Sequence, residues 1–246
     1  MNTINHSANR SELILPSPGE LRSQEKISAL IANNPAQESM KAIVRDHNWV
    51  DALPFVGHIN RFGFSFLTPE AVDTVMRVTE VVGGRILSVF SGLGYAEAQL
   101  AAEGADVVGF DQKVVTDRWL RDIEEGPSGL DYSRYADRAL FLSFPGRPRT
   151  NDSLPAQVVE RFLAAGGEIV IVVGDRREDK HAFGSDASLY EKLGEAKCIE
   201  TVPLPAWAPL VVLTQRRVPE RDATLEPVLK VYQYPRRTWN PGSVNH

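Results

Sequence analysis

The stretch "VFSGLGYAEAQLAAEGADVVGFD", residues 89–111, decides how the chain folds. An apolar run enters two glycines separated by one residue, Gly92 and Gly94. An alanine-rich segment follows and is closed by Gly104, and a second apolar run ends on Asp111. The pattern predicts strand, tight turn, helix, strand. In a Gly-x-Gly turn no side chain stands between the backbone amides and an approaching ligand. A carboxylate at the end of the following strand can accept hydrogen bonds from both hydroxyls of a ribose. Asp111 lies 111 − 94 = 17 residues beyond the second glycine, against about 20 in such units. The same residues also suit a plain strand–turn–helix in which Asp111 caps the next loop, and spacing does not separate the two.

Working outward, the alternation continues on both sides. "TPEAVDTVMRVTEVVGG" precedes it as a helix, with Thr68 as N-cap, Pro69 in the first turn and Gly83–Gly84 as the stop. "RILSVF" and "DVVGF" read as strands, with a helix over residues 95–103 between them. A polar stretch with Trp119 and "DIEEG" comes next. "ALFLSF" is a strand, "LPAQVVERFLAAGG" a helix, "EIVIVVGD" a strand and "SLYEKLG" a short helix. The strands are continuously apolar rather than alternating, as expected when helices cover both faces of a parallel sheet. "CIETVPL" and "PLVVLTQRR" read as an antiparallel pair around "PAWA", with "VLKVYQY" as one more candidate strand in the tail.

Upstream, residues 21–32 and 37–45 read as helices, and "HNWVDALPFVGHINRFGFSF" is aromatic-rich and irregular. The expected organisation is therefore a helical N-terminal extension or lid (1–66), an α/β domain (67–218) and a C-terminal tail packing on it (219–246).

With 246 residues, 43% apolar and 24% charged, the chain has the composition of an ordinary globular protein with a sizeable core. A formal charge of −5 argues against nucleic acid as the main partner, because phosphate binding needs a concentrated basic face. The lone Cys198 excludes an intramolecular disulfide and a multi-cysteine zinc site, and no metal site is expected. No apolar run reaches the roughly 20 residues of a membrane span. The N-terminus lacks the basic flank and apolar core of a signal peptide. A cytoplasmic protein without nucleic-acid or membrane partners is the expectation; oligomeric state is left open.

A dinucleotide site wants G-x-G-x-x-G, but "GLGYAE" places Glu97 at the third position. A carboxylate beside a pyrophosphate is repulsive, which disfavours NAD or FAD.

The order of these segments resembles the class I S-adenosylmethionine-dependent methyltransferases, a Rossmann-like superfamily. "ILSVFSGLGYAEAQLAAEGADVVGFD" is similar to its cofactor loop and ribose acid. "ALFLSFPGRP" is similar to the fourth strand with its active-site loop, and "EIVIVVGD" to the fifth strand. The upstream "TPEAVD" helix and the Phe-Pro after the fourth strand are similar to a little-characterised small-molecule branch. The resemblance implies a mostly parallel sheet with an antiparallel last strand and S-adenosylmethionine as cofactor. It further implies a cofactor site from Ser91, Gly92, Gly94, Asp111, Gln112, Phe144 and Pro145, with Glu124, Glu125 and Gly126 as candidates at the adenine. Two departures stand out: Ser88 occupies the place of the usual first-strand acid, and Phe90 that of a small residue. Glu97 is the candidate to take over the acid's contact with the methionine ammonium, beside a surface or helix-dipole role.

At the reacting centre, methyl transfer is an in-line displacement that asks mainly for positioning and, where needed, proton removal. Ser143 faces the methyl group on this resemblance, Tyr95 is placed to orient an acceptor or to pack, and His58, His47 and His181 are the candidate bases. Phe55, Phe62, Phe64, Phe66, Trp49 and Trp207 suit either an apolar substrate wall or the seating of the extension. "DRREDK", residues 175–180, reads as a solvated loop or a carboxylate clamp.

"FSGLG" is also similar to the opening of DNA cytosine methyltransferases, but their Pro-Cys nucleophile is replaced by "SFPGRP". Without the thiolate the covalent route to carbon methylation is missing. Two further readings stand beside methyl transfer. One is a cyclase in which the cofactor's own amine displaces methylthioadenosine; the other is a non-catalytic partner protein with a methyltransferase-like fold.

Overall fold

The computed structural model of the chain describes residues 67–114, 118–120, 123–145, 153–175, 187–204 and 227–235. Helix α1 (Pro69–Thr79) starts where the sequence says: the Thr68 side chain accepts from the Ala71 amide, and Pro69 supplies a preset φ in the first turn. A 3-10 turn over Glu80–Val82 then ends on Gly83 at φ 67. Strand β1 (Arg85–Val89), helix α2 (Tyr95–Ala102) and strand β2 (Asp106–Asp111) follow. Next come β3 (Ile123–Glu125), a 3-10 turn (Tyr132–Tyr135), β4 (Ala139–Ser143), α3 (Leu154–Ala164), β5 (Ile169–Asp175), α4 (Ala187–Leu193), β6 (Lys197–Pro203) and β7 (Pro227–Gln233).

The seven strands form one sheet in the order β3-β2-β1-β4-β5-β7-β6. All neighbouring pairs from β3 to β5 are parallel, and β7 is antiparallel to both β5 and β6. This is a Rossmann-like sheet, mostly parallel as expected, with one reversed strand near its edge. Alternate residues of the central strands feed two cores. On one face Ile86, Phe141 and Ile171 pack with Ala71 and Val75 of α1 and Leu100 of α2. On the other, Leu87, Leu142 and Val172 pack with Val159 and Phe162 of α3 and Leu189 of α4. Strands covered on both sides need apolar residues at every position, and β4 and β5 are buried throughout.

Two parts of the sheet correct the sequence expectation. Among the described residues β6 pairs antiparallel with β7, residues 227–233, with Val202 opposite Leu229 and Thr201 opposite Lys230. The stretch "PLVVLTQRR" lies outside the described residues. The sheet therefore does not end at residue 218 but takes in a segment assigned above to a C-terminal tail. The physical reason is that β7 is apolar on both faces, with Val228, Leu229, Val231 and Tyr232 buried; it fills the slot between β5 and β6. The second correction is β3. Its three residues carry too short a pattern to read, yet they pair in register with β2.

Residues 1–66, the expected extension, lie outside the described residues. Their junction does not: Gln99 of α2 clamps Leu67, accepting from its amide at 2.9 Å and donating to its carbonyl at 2.9 Å.

Candidate functional site

Strand order reverses between β1 and β4, and in open α/β sheets ligands bind outside the carboxyl ends of the strands at such a switch. The turn after β1 lies there. Phe90 leaves the strand at φ 67, Gly92 follows at φ 55 and Gly94 at φ 71. The Ser91 amide donates to the Phe110 carbonyl at 3.2 Å, and the Gly94 amide closes the turn on the Ser91 carbonyl at 2.7 Å.

The two glycines serve different ends. A Cβ on Gly94 would stand 2.7 Å from Leu120 Cβ, so this glycine exists for packing. A Cβ on Gly92 would meet nothing within 4 Å, so the space on its outer side is open.

Asp111, at the end of β2, reaches back to the turn. Its Oδ2 accepts from the Gly92 amide at 2.8 Å and its Oδ1 from the Lys113 amide at 3.1 Å. Each carboxylate oxygen keeps a second lone pair for a ligand hydroxyl. The β2–β3 register places Glu125 opposite Asp111, and the Gly126 amide donates to the Asp111 carbonyl at 3.0 Å. Asp111, the exposed Gln112, Glu125 and Gly126 thus come together at one edge of the turn. Ser143 ends β4 with 9% exposure, and Phe144 follows at φ 44 with its amide bonded to the Val173 carbonyl at 2.8 Å. Pro145 is buried beside it. Both strands flanking the switch are therefore followed by a phenylalanine held in the left-handed region, a conformation that costs a non-glycine residue about 1–2 kcal/mol.

Glu97 departs from the surface role considered for it. It is 1% exposed and accepts a 2.6 Å hydrogen bond from the Ser88 hydroxyl. Ser91 in turn donates to Ser88 Oγ at 3.0 Å. The carboxyl thus sits between helix and strand at the position where a dinucleotide fold places its third glycine for close packing. Burial raises its pKa to about 7, Ser88 and its own amide oppose the shift, and the Asp111 charge adds to it.

Tyr95 packs edge-on against Trp119, with ring centroids 5.0 Å apart, and both are buried. The placement fits the packing alternative for Tyr95. The Trp119 amide donates to the Leu93 carbonyl at 2.7 Å, so residues 118–120 brace the glycine turn from behind. No sequence signal marked Trp119 and Leu120 for this. The nearest hint was the second glycine itself, whose missing Cβ makes room for Leu120. Asp175, read above as the start of a solvated loop, is the last residue of β5 and fully buried. His58, His47, His181, Phe55, Phe62, Phe64, Phe66, Trp49, Trp207 and residues 176–180 lie outside the described residues. Among the described residues no three His, Cys, Asp or Glu side chains are grouped to hold a metal ion, and no helix is long and apolar enough to cross a membrane.

No protein-family model matches the chain, and no curated protein matches it. Solved structures are similar to the chain at low identity. Magnesium protoporphyrin IX methyltransferase from Synechocystis PCC 6803, crystallised with S-adenosylmethionine, is 14% identical with a TM-score of 0.38, over 79% of this chain and 97% of that one. A SAM-dependent O-methyltransferase from Thermotoga maritima is 17% identical with a TM-score of 0.40, over 76% and 72%. The chain spans about half the length (48%) of a third neighbour crystallised with S-adenosylhomocysteine, at 12% identity, a TM-score of 0.40 and 67% of this chain. The fold assignment rests on the strand order and not on these likenesses.

Proposed function

We propose that the chain is an S-adenosylmethionine-dependent methyltransferase acting on a small-molecule acceptor. The observation that carries this is the Gly92–Asp111 pairing at the switch point of a 3-2-1-4-5-7-6 sheet. It sets an open glycine turn beside a carboxylate with lone pairs to spare for ribose hydroxyls. A cofactor without a pyrophosphate needs no third glycine, and here that place is filled by a buried acid.

In this reading Ser91, Gly92 and Gly94 hold the methionine part, Asp111 and Gln112 the ribose, and Glu125 with Gly126 the adenine edge. When bound, the cofactor supplies a methyl group on a sulfonium. The chain's part is orientation: Ser143, with Phe144 and Pro145 behind it, fixes the acceptor in line at the end of β4. The reading gives residues 1–66 the part of a cover. The junction to it, Leu67, is held on α2 by the two hydrogen bonds of Gln99. A closing cover excludes water from the transfer.

Calorimetric titration with S-adenosylmethionine tests the reading. Binding is expected, and Asp111→Ala is expected to weaken it by at least about tenfold, the loss of charge-assisted bonds. Absence of binding by the wild type overturns the proposal. Incubation with candidate acceptors is expected to release S-adenosylhomocysteine; release of methylthioadenosine without any acceptor would assign cyclisation of the cofactor instead.

A further inference from the structure

One group at the site, the sequence candidate for the methionine ammonium, is enclosed in a way that the methyltransferase reading alone does not explain. Ser88 and Glu97 are polar residues 0% and 1% exposed, between a central strand and helix α2. A carboxyl there has been taken out of water, which is costly unless bonds or a counter-charge offset it. One side-chain hydrogen bond reaches Glu97, from Ser88. Among the described residues no Lys, Arg or His pairs with it, and the other charge that acts on it, Asp111 of β2, is of the same sign.

The location is not arbitrary. Glu97 lies in the first turn of α2, directly after the glycine turn, and the chain Glu97–Ser88–Ser91 ends in that turn. Gly92 is held from the other side by Asp111. The loop is thus suspended between two carboxyl groups, one half-exposed and one enclosed.

We propose that Glu97 is the positioning residue of the cofactor loop, and that it surrenders a proton when a cationic ligand settles on the loop. The inference rests on the methyltransferase reading and deepens it. S-adenosylmethionine brings a sulfonium and an ammonium to the turn. A positive charge arriving there favours the ionised form of a nearby carboxyl, since opposite charges lower a carboxyl's pKa. The ionised form then accepts the Ser88 hydroxyl more strongly, and Ser88 fixes Ser91. An enclosed acid with no cation among the described residues is thereby explained as one whose counter-ion is the ligand. Methylthioadenosine, which has neither charge, does not ionise it.

The test is calorimetry of the full chain at pH 7 in phosphate and in Tris, whose ionisation enthalpies differ, so that the difference counts protons released. With Glu97 titrating about 7, roughly half a proton is expected to leave on binding S-adenosylmethionine, and none with methylthioadenosine. Glu97→Gln is expected to release none and to bind S-adenosylmethionine about tenfold more weakly, with little change for methylthioadenosine. Ser88→Ala removes the bond that lowers the Glu97 pKa, so its proton release is expected to exceed that of the wild type at pH 7. A structural role alone would not move this quantity. Equal proton release in the wild type and Glu97→Gln, or wild-type release unchanged in Ser88→Ala, overturns the inference while leaving the methyltransferase reading intact. No binding of S-adenosylmethionine by the wild type overturns both.

Discussion

A carboxyl group 1% exposed makes folding depend on pH in a way its surface counterparts do not. Glu97 titrates near 4.5 when unfolded and about 7 in the folded protein, raised chiefly by burial. The folded state therefore holds this proton more tightly. The stabilisation it brings is fully present below about pH 4.5 and is lost as pH rises through about 7, a total on the order of 3 kcal/mol. Glu97→Gln carries no such charge, while its amide oxygen can still accept from Ser88. Urea denaturation of both proteins from pH 4.5 to 8 isolates the group from the other carboxylates. The stability of the variant relative to the wild type is expected to increase across the window and to level off above about pH 7. A difference that does not vary with pH would remove Glu97 as a titrating group. The variant would then be the more stable protein and the weaker binder, the usual consequence of an enclosed functional charge.

At the scale of the element, the turn between β1 and α2 separates packing from binding. Gly94→Ala forces a Cβ to 2.7 Å from Leu120 Cβ and strains a backbone at φ 71. It is expected to cost about 3 kcal/mol or more and to loosen residues 118–120. Gly92→Ala bears only the backbone cost at φ 55, about 1–2 kcal/mol, because nothing stands within 4 Å. It is expected to remain folded and to lose S-adenosylmethionine binding by more than tenfold, since the new methyl group occupies the ligand's approach. Thermal melts paired with titrations separate the two; similar binding losses in proportion to stability would argue against an open side at Gly92.

The glycines of this turn were legible in the sequence because a turn is a local event, and so were the cap at Thr68 and the enclosed strands β4 and β5. What each glycine avoids was not legible, because Leu120 arrives from 26 residues beyond Gly94, by 120 − 94 = 26. The direction of Glu97 was equally hidden. Residues 95–100 of α2 are all buried, so no polar face marks where the acid should point.

At the scale of the whole molecule, the sheet closes on a strand that comes late in the chain. Two neighbouring hydrophobic segments suggest a hairpin, and residues 197–203 and the run from 209 invited that pairing. The run from 209 lies outside the described residues; the pairing they show joins β6 to β7, and such non-local pairing leaves no mark in sequence periodicity. The consequence is large. β7 pairs with β5 along seven residue pairs, Ile169↔Gln233 to Asp175↔Pro227, and with β6 on its other side. Its Leu229 and Val231 are fully buried in the core that also holds α1 and α2. Ending the chain at residue 226 would leave the backbone groups of β5 unpaired along one edge and detach β6 from the sheet. Such a truncation is expected to abolish the cooperative thermal transition, whereas removal of a tail merely packed on the surface would lower its midpoint by a few degrees. Leu229→Ala provides the graded version. A leucine this enclosed is expected to lose about 2–5 kcal/mol on truncation to alanine, read as a lower urea midpoint with an unchanged slope. Its S-adenosylmethionine affinity, measured well below the midpoint, is expected to match the wild type, because β7 reaches the site only through β5, β4 and β1. A loss of affinity without a loss of stability would place the C-terminal strand at the site instead of in the frame that holds it.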